Sequence, residues 1–500
     1  MQRSLPENYY EYIEELGADR DGYVLTNFPY LNNGPKDLIG NSGKGKEYAY
    51  RSYFGRVMYS YADRYLFQAN IRHDGSSRFA KKHRWGTFPS FSAGWVLSEE
   101  NFMKNLNWEW LSFLKIRATW GALGNERIGD FPYMSTIAFG NTIFYQNNGI
   151  YFDQTASQQK YAIENVTWEK TESTDIGLDI SFLNNRLRVN GDYYWKNTKD
   201  MLLAMAIPDF LGFSDPDVNA GKMSTKGYKL NVSWNDHIGD FSYGIAINFS
   251  DFTSKMGDLQ GTQFLGDKVK MEGSEFNEWY GYVSDGLFLT EEDLKNSPKI
   301  NDKNTQLGDI KYKDISGPDG VPDGKISPEY DRVLLGSSLP HFLYGGNINL
   351  GYKNFDLSLA FQGVGKQNAR LAREMVESFR NNYGNFPAII DGNYWSPYNT
   401  DEQNAVAKYP RLTHVNKSSN YAMSDYWLFN GGYFRLKNIT LGYTFPKEWM
   451  NAIGIKGARI YASASDLFCL SKYPKGWDPE MGVSEYPITT SILLGVSVNF

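Results

Sequence analysis

The end of the chain alternates between apolar and polar side chains with a period of two. Ile492, Leu494, Val496 and Val498 alternate with Ser491, Gly495, Ser497 and Asn499, with Leu493 as an exception, and the chain ends on Phe500. Because successive side chains of a β-strand point to opposite faces, this pattern predicts a strand with one apolar and one polar face. A strand that ends on a terminal aromatic residue is also typical of outer-membrane barrels.

The same alternation recurs along most of the chain, in pairs of runs separated by short turns. One pair lies on either side of Lys353-Asn354, and the others are 176–182 with 187–195, 228–234 with 241–249, and 53–61 with 65–71. Two alternating runs joined by a short turn predict a β-hairpin. We count about 14 to 16 strands of this kind, and connections of tens of residues alternate with the tight turns.

Three features favour a transmembrane barrel over a soluble β-sandwich, which would also alternate. The polar faces carry Arg, Asp, Asn and Gln beside Gly and Ser, as a water-filled lumen does. The apolar faces often begin or end in aromatic residues, which make up 16% of the chain, as interfacial girdles do. The third feature is the asymmetry of the loops. The prediction is an all-β fold, a transmembrane antiparallel β-barrel.

Composition excludes several other classes of protein. The net charge of -6 gives no basic surface, so no nucleic-acid partner is predicted. The single cysteine, Cys469, excludes an internal disulfide framework and an all-cysteine metal site. The first residues lack the apolar core of a secretory signal. Since an exported protein needs such a signal, we expect this chain to be one piece of a longer protein.

Several longer motifs point to one family. The most specific begins with Ser52-Tyr53-Phe54-Gly55-Arg56-Val57 and includes Arg72-His73-Asp74-Gly75-Ser76-Ser77-Arg78-Phe79. Further matches include Gly121-Ala122-Leu123-Gly124-Asn125, Gly308-Asp309-Ile310-Lys311-Tyr312-Lys313-Asp314 and Phe361-Gln362-Gly363-Val364-Gly365. These motifs resemble the SusC/RagA family, the TonB-dependent outer-membrane transporters of Bacteroidota. The resemblance extends from about residue 48 to the end of the chain.

The resemblance implies a 22-stranded barrel with an N-terminal plug, a segment that contacts TonB and a SusD-like surface lipoprotein as partner. This chain resembles the C-terminal part of such a barrel, with the plug absent. We expect residues 1–47 to be a loop or partial-strand region entering the barrel. Residues 48–500 are then transmembrane strands with long extracellular loops, in the outer membrane and in contact with its lipid.

The function implied by the resemblance is TonB-dependent import of glycan oligosaccharides or peptides, with this chain supplying barrel wall and outer loops. The alternative is a surface adhesin or a secreted carbohydrate-binding β-protein without transport. An enzyme is not predicted, because we find no nucleophile with a base at catalytic spacing. The five histidines are scattered, without metal-ligand or triad spacing: His73, His83, His237, His341 and His414.

Aromatic residues in the long loop from about 366 to 428 are candidates for substrate binding. Tyr394, Trp395 and Tyr398, together with Tyr383, could stack on sugar rings. Packing inside the loop, or a girdle position, would explain the same residues. No required cofactor is predicted.

One loop is a candidate calcium site. Asp314, Ser316, Asp319 and Asp323 lie among glycines and prolines, before the apolar Ile326. Calcium prefers several oxygen ligands on a flexible turn. The family usually shows Asp-x-Asn-Gly-Asp-Gly here, and this sequence departs from that pattern. An Asp/Gly/Pro turn on an extracellular loop is the alternative.

Overall fold

The computed structural model describes residues 17–20, 39–42 and 47–500, apart from residues 130, 136, 147–148, 159–160, 206–208, 214, 261–264, 302, 381–386 and 483–484. Among the described residues, 13 strands form one sheet, in the order β24-β23-β22-β19-β18-β12-β11-β10-β9-β6-β5-β4-β3. These strands are β3 (Tyr50–Tyr61), β4 (Tyr65–Ser76), β5 (Trp85–Val96), β6 (Leu111–Asn125), β9 (Glu169–Phe182), β10 (Leu187–Ala204), β11 (Asp217–Ile238), β12 (Phe241–Met256), β18 (His341–Tyr352), β19 (Phe355–Lys366), β22 (Tyr433–Thr444), β23 (Gly457–Ser471) and β24 (Ser491–Asn499).

The remaining described strands pair in small sheets. They are β1 (Gly17–Arg20) with β2 (Ile39–Ser42), β7 (Ile137–Gln146) with β8 (Gly149–Gln158), β15 (Ser284–Leu287) with β16 (Ile310–Tyr312), β20 (Asn368–Arg370) with β21 (Leu428–Asn430), and β13 (Lys268–Val269) with β14 (Glu278–Tyr282) and β17 (Arg332–Gly336). Helices are short: α1 (Asn101–Lys104), α2 (Glu291–Asn296), α3 (Arg373–Val376), α4 (Asp401–Ala405), α5 (Lys417–Asn420) and α6 (Lys447–Ala452), with 3₁₀ turns at Leu97–Glu99, Asp209–Leu211, Ala388–Ile390 and Asp425–Trp427. No helix among the described residues is long and apolar enough to cross a membrane.

The chain divides into two compact units. The first comprises residues 1–94, 118–174 and 196–223. In it, β3 and β4 pair through their full lengths, from Tyr50 opposite Ser76 to Tyr61 opposite Tyr65. This unit contains a small hydrophobic core, formed by Phe79, Phe88, Ile128, Val166 and Trp168.

The second unit comprises residues 95–117, 175–195 and 224–500. It contains what we call the six-strand sheet, formed by β12, β18, β19, β22, β23 and β24. One row of opposed residues on its first face is apolar throughout: Tyr243, Leu350, Leu357, Leu441, Ala462 and Leu494. The adjacent row, on the opposite face, is polar or small from β12 to β23 and ends on the apolar Leu493 of β24: Gly244, Asn349, Ser358, Thr440, Ser463 and Leu493. From β12 to β23 the period of two in the sequence therefore becomes one apolar and one polar face.

The turn end of the apolar face carries an aromatic row. Phe241 lies opposite Tyr352, which lies opposite Phe355, which lies opposite Tyr443. The Phe355 and Tyr443 rings are 4.8 Å apart. The β18–β19 turn has Lys353 at φ +53, a left-handed conformation suited to a two-residue hairpin. This confirms the predicted turn at Lys353-Asn354.

The long connections 257–340 and 367–432 pack together into what we call the loop module. Its core is a buried cluster: Tyr282, Leu287, Ile310, Tyr312, Ile326, Met375, Val376, Ile390, Trp395, Tyr421 and Trp427. The two connections are joined by specific bonds, among them Tyr282 N–H to the Met423 carbonyl at 2.9 Å and Ser284 N–H to Asp425 Oδ1 at 2.7 Å. The loop module is therefore a packed element and not a set of independent loops.

The predicted fold class is confirmed, with one difference of detail, the number of strands. The main sheet has 13 described strands, fewer than the count from sequence, because strands such as β7 and β8 pair apart from it. The predicted boundary at 47/48 is not tested. Most of the region 1–47 lies outside the described residues, which there include only 17–20, 39–42 and residue 47.

Candidate functional site

The loop module contains a cavity of about 570 Å³, which we call the aromatic cavity. All three aromatic residues predicted to bind substrate line it, namely Tyr394, Trp395 and Tyr398. The other lining residues are Glu291, Leu294, Gln306, Leu307, Ser396, Pro397, Arg411 and Leu412. A volume of a few hundred Å³, with mostly apolar walls and a few polar groups, is typical of small-molecule sites.

Trp395 is fixed against the backbone of the first connection. Gly308 has φ +82, and a Cβ at this position would overlap the Trp395 ring. Two backbone bonds hold the surrounding segments, from Trp395 N–H to the Tyr409 carbonyl at 3.0 Å and from Arg411 N–H to the Gly308 carbonyl at 2.8 Å. Glycine is needed at 308 both for its left-handed backbone and for the close approach of the indole.

A buried carboxylate positions Arg411 in the wall of the cavity. Asp309 is fully buried and accepts from Arg411 Nε at 2.7 Å and from Arg411 Nη2 at 3.2 Å. It also accepts from the side-chain amides of Asn416 at 2.8 Å and Asn420 at 2.9 Å, and from the Gln306 backbone N–H at 2.9 Å. A buried carboxylate without partners would cost free energy, whereas the donors around Asp309 stabilise its negative charge.

The segment that carries Tyr398 is itself held by amide bonds. Asn404 is buried; its Nδ2 donates to the Ser396 carbonyl at 3.0 Å, and its Oδ1 accepts from Ser396 N–H at 3.0 Å. Asn399 Nδ2 also donates to Asn404 Oδ1 at 3.1 Å. Tyr398 is 96% exposed. The backbone is therefore fixed while the Tyr398 ring is presented to solvent.

Tyr312 and Tyr426, two tyrosines inside the module, are neutral hydrogen-bond donors. Burial raises the pKa of both Tyr312 and Tyr426. The Tyr312 hydroxyl donates to the Ser419 carbonyl at 2.7 Å, and the Tyr426 hydroxyl donates to the Lys408 carbonyl at 2.8 Å. These groups therefore stay protonated at physiological pH and link the two connections without adding charge near the cavity.

The predicted calcium loop is partly drawn together by its own backbone. Asp314 Oδ2 accepts from Gly324 N–H at 2.5 Å, and Asp323 Oδ1 accepts from Lys325 N–H at 3.0 Å. Asp314 Oδ1 is buried without a hydrogen-bond partner within the described residues. Asp319 is exposed. Asp314 and Asp323, the first and last of the predicted ligands, thus lie near one another, and each accepts a hydrogen bond from a backbone N–H group.

Asp331, which the sequence did not single out, anchors the base of the same loop. It is fully buried and accepts from the backbone N–H groups of Ile315, Ser316 and Ser327 at 2.8, 3.2 and 2.7 Å. In the described part of the chain, no group of three or more His, Cys, Asp or Glu converges so that it could hold a metal ion. The four predicted ligands do not form a coordination shell in this conformation, and calcium stays a prediction.

Sequence reasoning missed the polar half of the aromatic cavity. Glu291 and Gln306 come from the first connection and Arg411 from the second, and no local motif marks Glu291 or Arg411. Asp309 did stand in one of the family-like motifs, which was a signal of its importance without showing its role. Tyr383, named with the other aromatics, lies outside the described residues.

Comparisons with known proteins give a consistent result. The family described as "TonB dependent receptor-like, beta-barrel" matches residues 6–467. SusC, a TonB-dependent receptor of Bacteroides thetaiotaomicron, is 32% identical over 468 residues, which cover 90% of this chain and 43% of that protein. TonB-dependent receptor P3 of Formosa agariphila is 31% identical over 453 residues, covering 86% of this chain and 42% of that receptor.

Solved structures agree on the fold. A structure of the RagAB peptide transporter matches with a TM-score of 0.76 at 23% sequence identity, covering 96% of this chain and 50% of that one. The chain spans about half the length of these curated relatives and of the RagAB structure.

Proposed function

The chain belongs to the TonB-dependent receptor-like β-barrel family, and we propose that it forms barrel wall and outer loops of an outer-membrane importer of oligosaccharides. The import is energised through TonB. Family membership also places the chain in the outer membrane. The loop module contributes to the substrate site through Tyr394, Trp395 and Tyr398.

The single observation that carries this proposal is the pair of faces on the six-strand sheet. Side chains such as Leu441, Ile492 and Leu494 are 52%, 76% and 82% exposed, which in water would be a large unfavourable apolar surface. Lipid is the environment in which such a face is stable. The opposite face, with Asn349, Ser358 and their neighbours, suits a wet interior.

Oligosaccharide is the proposed substrate class because of the composition of the aromatic cavity. A sugar ring has apolar C–H faces and a polar edge, so it needs flat apolar groups beside hydrogen-bond donors and acceptors. Tyr394, Trp395 and Tyr398 supply the first kind of group, and Gln306 and Arg411 supply the second. The lumen wall and loops of the rest of the protein complete the path.

A peptide is the second candidate substrate. The lining of the cavity includes one carboxylate without an ion-pair partner among the described residues, Glu291, which can pair with the amino terminus of a peptide. One protein of similar fold is named as a peptide transporter. A surface lipoprotein of the SusD type is the proposed partner, and it would contact the outer loops.

The proposal is tested by deleting the gene that encodes this chain in its source bacterium. We expect loss of growth on an oligosaccharide as sole carbon source, with growth on the monosaccharide unchanged. Deleting tonB should give the same loss. Growth lost on peptide alone would select the second candidate. Unimpaired growth on both, with lost adhesion to glycan-coated surfaces, would show the adhesin alternative to be correct.

Calcium binding by Asp314, Ser316, Asp319 and Asp323 stays a separate proposal, and no step of import depends on it. Its support is Asp314 Oδ1, which is buried without a partner among the described residues. The test is calorimetric titration of the detergent-purified protein with CaCl₂, for wild type and Asp314→Asn. Heat that is present in the wild type and absent in the variant supports the site. Identical titrations contradict it.

A further inference from the structure

Two lining residues of the aromatic cavity carry charge, Glu291 and Arg411, and their surroundings differ. Arg411 is paired through Nε and Nη2 with the buried Asp309, and its Nη2 also donates to the Asn304 carbonyl at 3.2 Å. The positive charge of Arg411 is therefore matched inside the protein. Its Nη1 group has no hydrogen-bond partner within the part of the chain that the structure describes.

Glu291, the other charged lining residue, has no comparable partner among the described residues. It is the first residue of α2, after Thr290, whose side chain caps the helix by accepting from Asp293 N–H. Glu291 is exposed, and within the described residues no ion pair involves it. Asp309 and Arg411 together are neutral, so Glu291 leaves the lining of the cavity with a net negative charge.

We propose that the aromatic cavity binds a neutral sugar ring and discriminates against anionic sugars such as uronates, with Glu291 as the specificity-determining residue. This inference rests on the proposed function. A guanidinium that already holds a carboxylate offers its remaining N–H groups as ordinary donors to hydroxyls. An incoming carboxylate gains no unmatched positive charge and meets the negative charge of Glu291.

The apolar lining supports the same ligand. Leu294, Leu307, Pro397 and Leu412 form the walls between the aromatic residues. The 96% exposed Tyr398 is a flat surface that a ligand would cover. Stacking of C–H faces on such rings depends little on charge, so it holds neutral and acidic sugars alike. Discrimination must then come from the charged residues, and Glu291 is the one whose charge is unmatched.

The test is binding to the detergent-purified protein, followed by calorimetry, with four probes: cellohexaose, xylohexaose, mannohexaose and hexagalacturonate. We expect at least one neutral hexasaccharide to bind about tenfold or more tightly than hexagalacturonate at low salt, with the ratio shrinking at about 1 M salt, where charges are screened. Glu291→Gln should reduce the ratio several-fold. Glu292→Gln is the matched control, because Glu292 is the next residue of the same helix, is exposed, and does not line the cavity.

A second pair of variants tests the stacking surface. Tyr398→Ala should weaken binding of the neutral probe about tenfold, while Tyr486→Ala, at a tyrosine that is 80% exposed outside the cavity, should not. Both replaced tyrosines are exposed, so neither change removes a buried side chain. Equal effects of the two variants overturn the site.

The remaining outcomes separate this inference from the proposed function. Equal or tighter binding of hexagalacturonate overturns the charge discrimination, as does an equal effect of Glu291→Gln and Glu292→Gln. Failure of all four probes to bind overturns the cavity as a sugar site. Uptake of the same sugars by cells is measured in parallel. Uptake that persists in those cases leaves the transport proposal standing, and its absence contradicts that proposal too.

Discussion

The six-strand sheet and the loop module use the same kinds of apolar side chain in opposite ways. In the sheet, Ile492 and Leu494 are 76% and 82% exposed, whereas in the module Val376 and Trp427 are 1% and 2% exposed. Both regions belong to the same compact unit. The sheet therefore needs an apolar solvent, while the module carries its own hydrophobic core, as a water-soluble domain does.

This difference predicts where substitutions will act. In the module, a side chain gains its stabilisation by leaving water and packing against other side chains. On the apolar face of the sheet, lipid tails are as apolar as leucine, so truncation changes little. Polarity matters on that face more than shape does. The following substitutions test the comparison, beginning with the largest expected effect.

Truncating the centre of the module core should be the most damaging change. The Trp427 ring contacts Tyr409, Tyr421 and Tyr426, and its Nε1 donates to the Asn420 carbonyl at 2.9 Å. Trp427→Ala should lower the free energy of unfolding by about 3–5 kcal/mol, because it leaves a large cavity. Thermal unfolding in detergent and proteolysis of the loops measure it.

The control for that prediction is Leu494→Ala on the apolar face. We expect a loss below about 1 kcal/mol, since Leu494 gives up contact with lipid or detergent and leaves no protein cavity. Similar losses for the two variants would break the comparison between the regions.

Removing the buried carboxylate of the module should cost slightly less. Asp309→Ala leaves the guanidinium of Arg411 and the amides of Asn416 and Asn420 without their shared acceptor. We expect a loss of about 3 kcal/mol, at the low end for a broken buried ion pair because Arg411 is partly exposed. Asp309→Asn keeps the shape and one acceptor oxygen, so unfolding measurements should place it between Asp309→Ala and wild type. If Asp309→Ala were as stable as wild type, the ion pair and hydrogen bonds of Asp309 would contribute nothing to stability.

A charge on the apolar face tests the other side of the comparison. Leu441→Arg should destabilise the inserted protein by about 2–3 kcal/mol, because the guanidinium would face hydrocarbon. Thr440→Arg, one residue away on the polar face, is the matched control and should cost less, through lost bonds to Asn438 and Ser463. Urea unfolding from lipid bilayers measures both. Equal costs would mean that the two faces are not in different environments.

The strands were predictable from sequence because the alternation of apolar and polar residues is present within each strand's own sequence. The alternation through Leu357 and Leu359 is visible without knowing which strand lies opposite, and the turn at Lys353-Asn354 follows from two short flanking runs. Trp395 and Tyr398 were predictable as aromatic residues of one loop. Their shared cavity was not, because period and spacing carry no information on which loops meet.

The polar part of the site was hidden for the same reason. Arg411 becomes a wall of the cavity only through Asp309, about one hundred residues earlier in the chain, and the pair has no local pattern. Asp331 likewise accepts hydrogen bonds from the backbone N–H groups of Ile315 and Ser316. A pattern of closely spaced Asp and Gly residues does not point to this carboxylate, which lies outside the pattern. Long-range side-chain pairing inside packed loops was the information that the sequence did not display.

The smallest expected effect contrasts Asp309 with a buried carboxylate that has few donors. In the first unit, just beyond the end of β6, burial raises the pKa of Glu126 from its ordinary 4.5 to about 7. Arg78 Nη1 lies 3.4 Å from Oε1, and Oε2 is buried without a partner among the described residues. The Arg78–Glu126 contact is long and involves only one carboxylate oxygen. We therefore expect burial to affect the pKa of Glu126 more than this ion pair does.

The folded state therefore holds the Glu126 proton more tightly than the unfolded chain does. This contribution to stability is fully present below about pH 4.5 and is lost as the pH rises through about 7. Glu126→Gln should match wild type in thermal unfolding at about pH 5 and exceed it at about pH 8, where the wild type must keep a charge buried. Glu164→Gln, at an exposed acid of the same unit, should leave the pH dependence unchanged. A wild type that gains stability relative to Glu126→Gln on going to pH 8 would show instead that Arg78 dominates, and that even a sparsely paired buried carboxylate behaves like Asp309.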